Sequence, residues 1–212
     1  EFKLKDIDKD KLYTFLREME FNRLLSSVIS AYGEPKLSSS IEEKKTTEKQ
    51  QTINKKNYHL ITSPDQIDEW IKEAEEVGEV AVDTETSSLD PHQADLIGVS
   101  LSSKIGKACY IPIGHKSSKC IDKNIVIKKL KPLLEDPSVK KIGQNIKFDF
   151  IVLYKQGITI SSMEDTMLMS YVLDAGKNRH NMDTLSEIHL GHKTISFKEI
   201  VGTGKKEINF SD

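Results

Sequence analysis

The sequence predicts an α/β fold in which a mixed β-sheet is flanked by helices and preceded by a helical segment. Three apolar runs at 79–85, 94–102 and 107–113 are separated by gaps too short for crossover helices, which predicts an antiparallel three-strand meander. A fourth run at 139–144 follows a helical pattern at 122–135, and such a crossover favours a parallel strand. With 212 residues, the chain is long enough to bury one core of ordinary size.

An N-terminal segment, residues 1–33, has the pattern of one or two helices. Between residues 8 and 31 apolar side chains recur at steps of three and four, and Gly33 followed by Pro35 is a stop signal. Residues 34–57 are nearly all polar and have little to offset the entropy of ordering, so we interpret them as a linker. Because the sequence begins without an initiator methionine, we expect it to be a piece of a longer protein.

The third predicted region, residues 58–212, contains the sheet and most of the helices. The helix before the meander has its start signal at 63–66, with a Ser cap, Pro at the first helical position and Gln at the third. Further helical patterns occupy 147–157, 165–173, 181–190 and 196–201. The last of these opens on a capping box formed by Ser196 and Glu199.

Composition and charge exclude several classes of protein. Lys plus Arg number 31 against 33 for Asp plus Glu, so the formal charge of −2 argues against a bulk-basic nucleic-acid coat and leaves a local basic groove open. No apolar run approaches membrane-spanning length. Cys109 and Cys120 lack the spacing of a zinc site or of a disulfide framework, so we expect the reducing cytoplasm as compartment.

The first chemical signal is an apolar run that ends on two carboxylates, Asp83 and Glu85. The period of a β-strand places both side chains on the same face. Two neighbouring negative charges repel each other, so the pair is either solvated at a strand end or bound to a cation. Because Asp-x-Glu sequences are common, the pair alone favours the solvated alternative.

The second chemical signal is GQNIKFD (143–149), at a predicted strand-to-helix junction. Asn145 and Asp149 are four residues apart and share a helix face. A lone Asp in the first turn of a helix is usually a favourable partner of the helix dipole and no more. Considered alone, Asp149 is therefore more simply explained as a structural residue.

The two signals converge if the first strand of the meander is central and the later parallel strand lies beside it. The end of the first strand and the start of the following helix then meet, which brings Asp149 near Asp83 and Glu85. Three hard oxygen donors in one place suit Mg²⁺ or Mn²⁺ better than zinc. A pair of such ions binds the attacking and leaving oxygens of a phosphodiester.

Five segments together resemble a known family. Any one of them is modestly specific, but five in order and in register are not expected by chance. The chain is similar to the 3′-5′ proofreading exonuclease domain of bacterial DNA polymerase I at VDTETSSLD (82–90), GQNIKFD (143–149), DTMLMSYVL (165–173), RHNMDTLSE (179–187) and HKTISFKEIVGTGKK (192–206). The resemblance covers residues 58–212, and residues 1–33 resemble the segment that follows the 5′-nuclease region of that polymerase.

The resemblance implies a ribonuclease H-like fold and a site with four acidic ligands and two divalent metal ions, Mg²⁺ or Mn²⁺. It implies that Asp83 bridges both ions, that Glu85 holds one and orients the attacking water, and that Asp149 serves the second ion. Such a site hydrolyses the terminal phosphodiester of a single-stranded or frayed DNA 3′ end and releases a nucleoside monophosphate. It further implies a monomeric, nucleoid-associated bacterial protein, partnered by the polymerase domain of the same chain.

The third motif of the family, Tyr-x-x-x-Asp on a later helix, does not occur in this sequence. After Asp183 the only aspartate is Asp212, and Ile208 stands four residues before it. The fourth acid and the tyrosine that helps to position water are therefore missing. We expect this chain to be weakly active or inactive for that reason.

Single-stranded DNA is held by stacking and phosphate contacts, so aromatic, apolar and basic residues near the acids are its candidate ligands. By resemblance these are Leu89, Gln144, Asn145, Phe148, Arg179 and Phe197. For Leu89 and Phe197 the alternative is burial in the core, and for Arg179 it is a solvated loop. The lysine pairs at 140–141 and 205–206 are expected to be solvated, with phosphate steering as the alternative.

Two other functions stay open beside the DNA exonuclease. One is a ribonuclease D-like or helicase-linked exonuclease, which would act on RNA or on other DNA. The other is a catalytically silent scaffold domain of a polymerase. The retained acids Asp83, Glu85 and Asp149 argue against the silent domain, and HKTISFKEIVGTGKK favours the polymerase group.

Overall fold

The computed structural model describes residues 6–34, 57–116, 119–202, 208 and 211. The predicted linker at 34–57 thus lies almost wholly outside the described residues. The predicted division of the chain into segments at 1–33, 34–57 and 58–212 stays a prediction. Of the helices that the structure describes, none is long and apolar enough to cross a bilayer.

The chain divides into two compact units, of which Glu1–Glu48 is the first. The predicted helical segment is two helices, α1 (Lys9–Glu18) and α2 (Asn22–Tyr32). The Tyr13 hydroxyl of α1 donates a hydrogen bond to the Gly33 carbonyl at 2.5 Å, just beyond the end of α2. This bond links the middle of α1 to the end of α2.

The apolar stripe predicted for this segment is only partly buried. Tyr13 and Leu16 are buried, whereas the apolar side chains of Phe15, Met19 and Leu24 remain about half exposed. Phe15 and Leu16 are consecutive residues of α1, so they point in different directions around the helix axis and only Leu16 lies on the buried face.

The second unit, Lys49–Asp212, contains a six-stranded mixed sheet with the strand order β1-β4-β3-β2-β5-β6. The antiparallel meander of β2, β3 and β4 is confirmed, and β5 pairs with β2 in the predicted parallel sense. The strands are β1 (Tyr58–Leu60), β2 (Glu79–Thr86), β3 (Leu96–Lys104), β4 (Lys107–Pro112), β5 (Lys140–Gly143) and β6 (Met163–Asp165). Strand β2 therefore lies inside the sheet, between β3 and β5.

The two edge strands, β1 and β6, were not part of the predicted sheet. Each has three residues, and the residues of β1 are all exposed. Such short segments show no measurable alternation of apolar and polar residues, so only their parallel pairing with β4 and β5 identifies them as strands.

The described part of this unit has six helices beside the sheet, and the predicted helical patterns agree with them to within a few residues. The Gln66 Oε1 atom accepts hydrogen bonds from the backbone N–H groups of Thr62 and Ser63, as expected at a capped helix start. The capping box of Ser196 and Glu199 is likewise present. The helices are α3 (Pro64–Val77), α4 (Lys123–Glu135), α5 (Ile146–Tyr154), α6 (Thr166–Asp174), α7 (Met182–Leu190) and α8 (Phe197–Val201).

The two faces of the sheet have different environments. On one face Val82 lies opposite Leu101 and Thr84 opposite Val99, and all four are buried in or beside the apolar core that contains residues of α3, α4 and α5. On the other face Asp83 lies opposite Ser100, and Ser100 lies opposite Tyr110 on β4. Strand alternation therefore places the core on one side of β2 and polar side chains on the other.

The expectation that both Lys140 and Lys141 are solvated is wrong for Lys141. Lys140 is partly exposed and pairs with Glu164 at 3.0 Å. Lys141 is fully buried, and its Nζ donates to the carbonyls of Asp136 and Val139. Burial lowers the pKa of this ammonium group. Two carbonyl acceptors offset part of the cost of burial, so Lys141 holds the turn before β5 and does not face DNA.

Candidate active site

Strand β2 carries two acids on the face that points away from the core. Asp83 lies opposite Ser100 and Glu85 opposite Gly98, and both acids are partly buried. The pairing between β2 and β3 becomes irregular directly after Glu85. A bulge of this kind ends the regular pairing and redirects the chain, which is common beside active sites.

The third acid, Asp149, comes from the first turn of α5 and is only 2% exposed. Its Oδ1 atom accepts hydrogen bonds from the backbone N–H of Thr84 at 2.8 Å and from the Thr84 hydroxyl at 2.6 Å. Thr84 stands between the two acids of β2, so these bonds fix the start of α5 against the end of that strand. No hydrogen bond from another described residue uses Oδ2.

The three carboxyl groups interact electrostatically. Burial raises the pKa of Asp83. Burial and the charges of Asp83 and Asp149 raise the pKa of Glu85 to about 7. Burial also raises the pKa of Asp149 to about 6, helped by the charge of Asp83 and opposed by the hydrogen bonds from Thr84. The three carboxyl groups thus lie close enough to disfavour ionisation of one another.

The geometry that leads into α5 depends on an acid outside the predicted site. Asn145 has a left-handed backbone conformation, with φ of 60°, and its side chain does not cap the helix. Instead, Asp165 accepts hydrogen bonds at 3.0 Å from the backbone N–H groups of both Asn145 and Ile146. Asn tolerates this conformation better than most residues, and Asp165 satisfies N–H groups at the helix start.

The donor set fits a divalent cation in its chemistry. Carboxylate oxygens are the preferred ligands of Mg²⁺ and Mn²⁺, and a cation would offset the burial and the mutual repulsion that raise the pKa values of Glu85 and Asp149. Within the described part of the chain, no three His, Cys, Asp or Glu side chains already form a cluster that could hold one ion. The three acids therefore suit such a cation in their chemistry, and the bonds from Thr84 connect Asp149 to the strand that carries Asp83 and Glu85.

A shallow depression lies beside Asp83 on the same face of the sheet, and Ser100 and Gln144 also line it. The Gln144 amide is held at both ends, because Nε2 donates to the His180 carbonyl at 2.7 Å and Oε1 accepts from Thr166 Oγ1 at 2.5 Å. Gln144 thus links the end of β5 to the segment before α7, and its amide is occupied by protein groups.

The remaining predicted DNA contacts have different environments. Leu89 is 96% exposed, which removes the alternative that it belongs to the core. Phe148 is partly buried and packs against the core, and Arg179 is exposed in the loop before α7. The side chain of Phe197 lies outside the described residues.

Sequence reasoning missed three participants. Thr84 was overlooked because its role depends on a residue 65 positions away. Asp165 precedes an apolar helix and has the pattern of an N-cap, which its bonds to the Met167 and Leu168 N–H groups bear out. Tyr110 had no local signal, because only the sheet brings it to the side of Glu85.

The comparison with protein families agrees with this geometry. A family model described as 3′-5′ exonuclease matches residues 58–212, which include all three acids. The chain belongs to the 3′-5′ exonuclease family. The matched residues include the whole described sheet and the helix that carries Asp149.

Relatives of this family member include bacterial DNA polymerases. DNA polymerase I of Pseudomonas aeruginosa is 37% identical over 221 residues, which cover 97% of this chain and 23% of the relative. DNA polymerase I of Rhizobium leguminosarum is 43% identical over 165 residues, 68% of this chain and 16% of the relative. The exonuclease chain therefore spans less than a quarter of the length of these relatives.

Two solved structures share the fold. Trypanosoma brucei RNase D aligns with a TM-score of 0.56 at 14% identity, covering 68% of this chain and 50% of that chain. Brucella melitensis NrnC with bound Mg²⁺ aligns with a TM-score of 0.50 at 25% identity, covering 70% of this chain and 67% of that chain. The predicted ribonuclease H-like fold is confirmed.

Proposed function

We propose that residues 58–212 form the 3′-5′ proofreading exonuclease domain of a DNA polymerase I, with Asp83, Glu85 and Asp149 as its catalytic acids. The observation that carries the proposal is that Asp149 of α5 accepts two hydrogen bonds from Thr84, the residue between Asp83 and Glu85 in β2, in a member of the 3′-5′ exonuclease family. The raised pKa values of the three carboxyl groups agree with it. The identity of the relatives as DNA polymerases supports DNA as the substrate.

Two divalent cations, Mg²⁺ or Mn²⁺, would when bound neutralise the acids and stabilise the attacking and leaving oxygens. Asp83 would serve both cations, Glu85 the first and Asp149 the second. In the reaction, the oxygen of water bonds to the terminal phosphorus, whose bond to the 3′ oxygen of the preceding nucleotide breaks. The Glu85 carboxylate would accept a hydrogen bond from that water and so orient it.

The candidate DNA contacts have unequal support. Leu89 is almost fully exposed and can contact a terminal base, and the Asn145 side chain has no hydrogen bond to another described residue. Both ends of the Gln144 amide are bonded to protein groups, so Gln144 would contribute by positioning the segment before α7 and not by contacting DNA. Phe148, Arg179 and Phe197 remain in the proposed set. The other proposed features are a monomer, located at the bacterial nucleoid, whose partner is the polymerase part of the same longer chain.

We predict that Asp83→Ala abolishes hydrolysis without unfolding the domain. The substitution deletes a ligand, and it also removes one of three mutually repelling charges, so the fold should tolerate it. The measurement is shortening of a 5′-labelled single strand by a chain extended through a Tyr-x-x-x-Asp motif. Asp68→Ala on the exposed face of α3 is the control, because Asp68 pairs with Lys129 of α4 and with no other described residue.

The same assay separates the alternatives. Matched DNA and RNA single strands show whether the enzyme degrades DNA, as proposed, or RNA. Calorimetric titration with Mn²⁺ tests the catalytically silent domain, for which binding should not depend on the carboxylates. Undiminished hydrolysis by the Asp83→Ala variant would overturn the assigned role.

A further inference from the structure

A hydrogen-bonded pair of Tyr110 and His115 lies outside the five sequence segments on which the family resemblance rests. Tyr110 is in β4, and His115 follows the end of that strand. The Tyr110 hydroxyl and His115 Nε2 are 2.7 Å apart, and the rings meet edge to face with centroids separated by 5.7 Å. The two contacts hold the phenol in one orientation on the open face of the sheet.

The position of the phenol is defined by a glycine in the neighbouring strand. A Cβ atom added to Gly98 would lie 2.0 Å from the Tyr110 hydroxyl oxygen. The phenol therefore occupies the space that a side chain at position 98 would fill. Position 98 is the pairing partner of Glu85 in β2.

Directly opposite residues of an antiparallel pair project on the same face, with Cβ atoms roughly 4.5–5.5 Å apart. The Tyr110 hydroxyl thus lies on the same face as the Glu85 side chain and beside it. The charge of Glu85 adds to burial in raising the pKa of Tyr110, which is consistent with this proximity. The phenol remains protonated and can donate a hydrogen bond. Among the described residues, Glu85 has no hydrogen-bond or ion-pair partner of its own.

We propose that Tyr110 and His115 form a positioning pair that holds the Glu85 carboxylate in the orientation in which it binds a divalent cation. A phenolic hydroxyl has one donor and can also accept. It can therefore donate to Glu85 while it accepts from the Nε2–H group of His115. The inference rests on the proposed function, since it assumes that Glu85 is a metal ligand. It adds two residues that would orient this ligand without binding the metal themselves.

The test measures Mn²⁺ affinity of the 212-residue chain by electron paramagnetic resonance, with the melting temperature as a check on folding. Tyr110→Phe keeps the ring over Gly98 and removes only the hydroxyl. Loss of a group that supports a metal ligand typically weakens affinity by about 10–100-fold, and we expect about tenfold here. His115→Ala should have a similar effect, whereas His115→Gln should restore most of the affinity because its amide can replace Nε2. Tyr58→Phe, at an exposed tyrosine of β1, is the matched control and should not change the affinity.

Asp83→Ala separates the two proposals. If the unaltered chain binds Mn²⁺ and this variant does not, the proposed metal site is supported. Unchanged affinity in both Tyr110→Phe and His115→Ala would then overturn the positioning pair alone. If binding by the unaltered chain does not depend on Asp83, both the metal site and the positioning pair are overturned. If one of Tyr110→Phe and His115→Ala has a lowered melting temperature, the Mn²⁺ affinity of the other variant decides the positioning pair.

Discussion

The carboxyl groups of Asp83, Glu85 and Asp149 differ in how the protein holds them. Asp149 is fixed by two hydrogen bonds from Thr84 and is almost inaccessible to solvent. Neither Asp83 nor Glu85 has a hydrogen bond to another described residue. One acid is thus oriented in advance, and the two acids of β2 would be oriented by a cation and, for Glu85, by Tyr110.

For these individual residues, we predict that the metal-free protein loses stability as pH rises from about 5 to about 8. The pKa of Glu85 is about 7 in the folded chain against 4.5 for the unperturbed group, so the folded state retains a proton that the unfolded state has lost. This contribution to stability is present below the unfolded pKa and is lost as pH rises through the folded pKa. Mg²⁺ at pH 8 should restore it.

The measurement is the melting temperature across that pH range, with and without Mg²⁺. Glu85→Gln should raise the metal-free melting temperature at pH 8 by about 2–4 °C, because solvent reaches part of this group and moderates the effect. It should also reduce the stabilisation by Mg²⁺. Glu75→Gln, at an exposed position of α3, is the control. Equal pH profiles of the melting temperature for the Glu85→Gln variant and the unaltered chain would contradict Glu85 as the source of this pH dependence.

At the scale of secondary structure, Asp165 joins two helices. Its Oδ1 atom accepts from the backbone N–H groups of Met167 and Leu168 at the start of α6, and its carboxylate also accepts from those of Asn145 and Ile146 at the start of α5. Helix starts leave N–H groups without partners inside the helix. One buried carboxylate accepts hydrogen bonds at both helix starts and thereby positions α5, the helix that carries Asp149.

We predict that Asp165→Ala lowers the free energy of unfolding by about 2–4 kcal/mol, because it removes two helix caps from a buried site. The matched control is Asp122→Ala, which removes only the exposed cap of α4 and should cost about 1 kcal/mol. Urea denaturation measures both values. Equal losses in the two variants would show that Asp165 is an ordinary cap and that α5 is positioned by other contacts.

At the scale of the whole molecule, the net charge of −2 and the negative charges of Asp83, Glu85 and Asp149 both oppose the approach of DNA. A polyanion can reach three carboxylates only when cations neutralise them. Asp83 and Glu85 lie on the face of β2 that points away from the apolar core, so these two acids take no part in core packing. We therefore expect the metal to govern substrate binding much more than it governs the fold.

A related prediction concerns the third family motif, which residues 184–212 do not contain. A chain extended through a Tyr-x-x-x-Asp motif should degrade single-stranded DNA at least about a hundredfold faster than these 212 residues, because catalysis is sensitive to misplacement by about 1 Å. The assay compares both chains in Mg²⁺ and in Mn²⁺. Equal rates would mean that the fourth acid is dispensable or is supplied from within this chain.

The sequence by itself determined the features that depend on neighbours along the chain. The alternation of β2 placed Asp83 and Glu85 on one face, and the start signal at 63–66 and the capping box at 196–199 lie at helix starts. The order of the meander followed from gap lengths. Each of these is a local property, because periodicity and capping involve residues only a few positions apart.

Only the tertiary structure decided which distant residues meet. The bonds between Thr84 and Asp149 span 65 positions, and those from Asp165 to the start of α5 span about 20. The approach of Tyr110 to Glu85 depends on the register of three strands, and the burial of Lys141 depends on carbonyls in the turn before β5. Strand order and register set these contacts, and no local pattern encodes them, because a shift of one residue would turn each side chain to the other face.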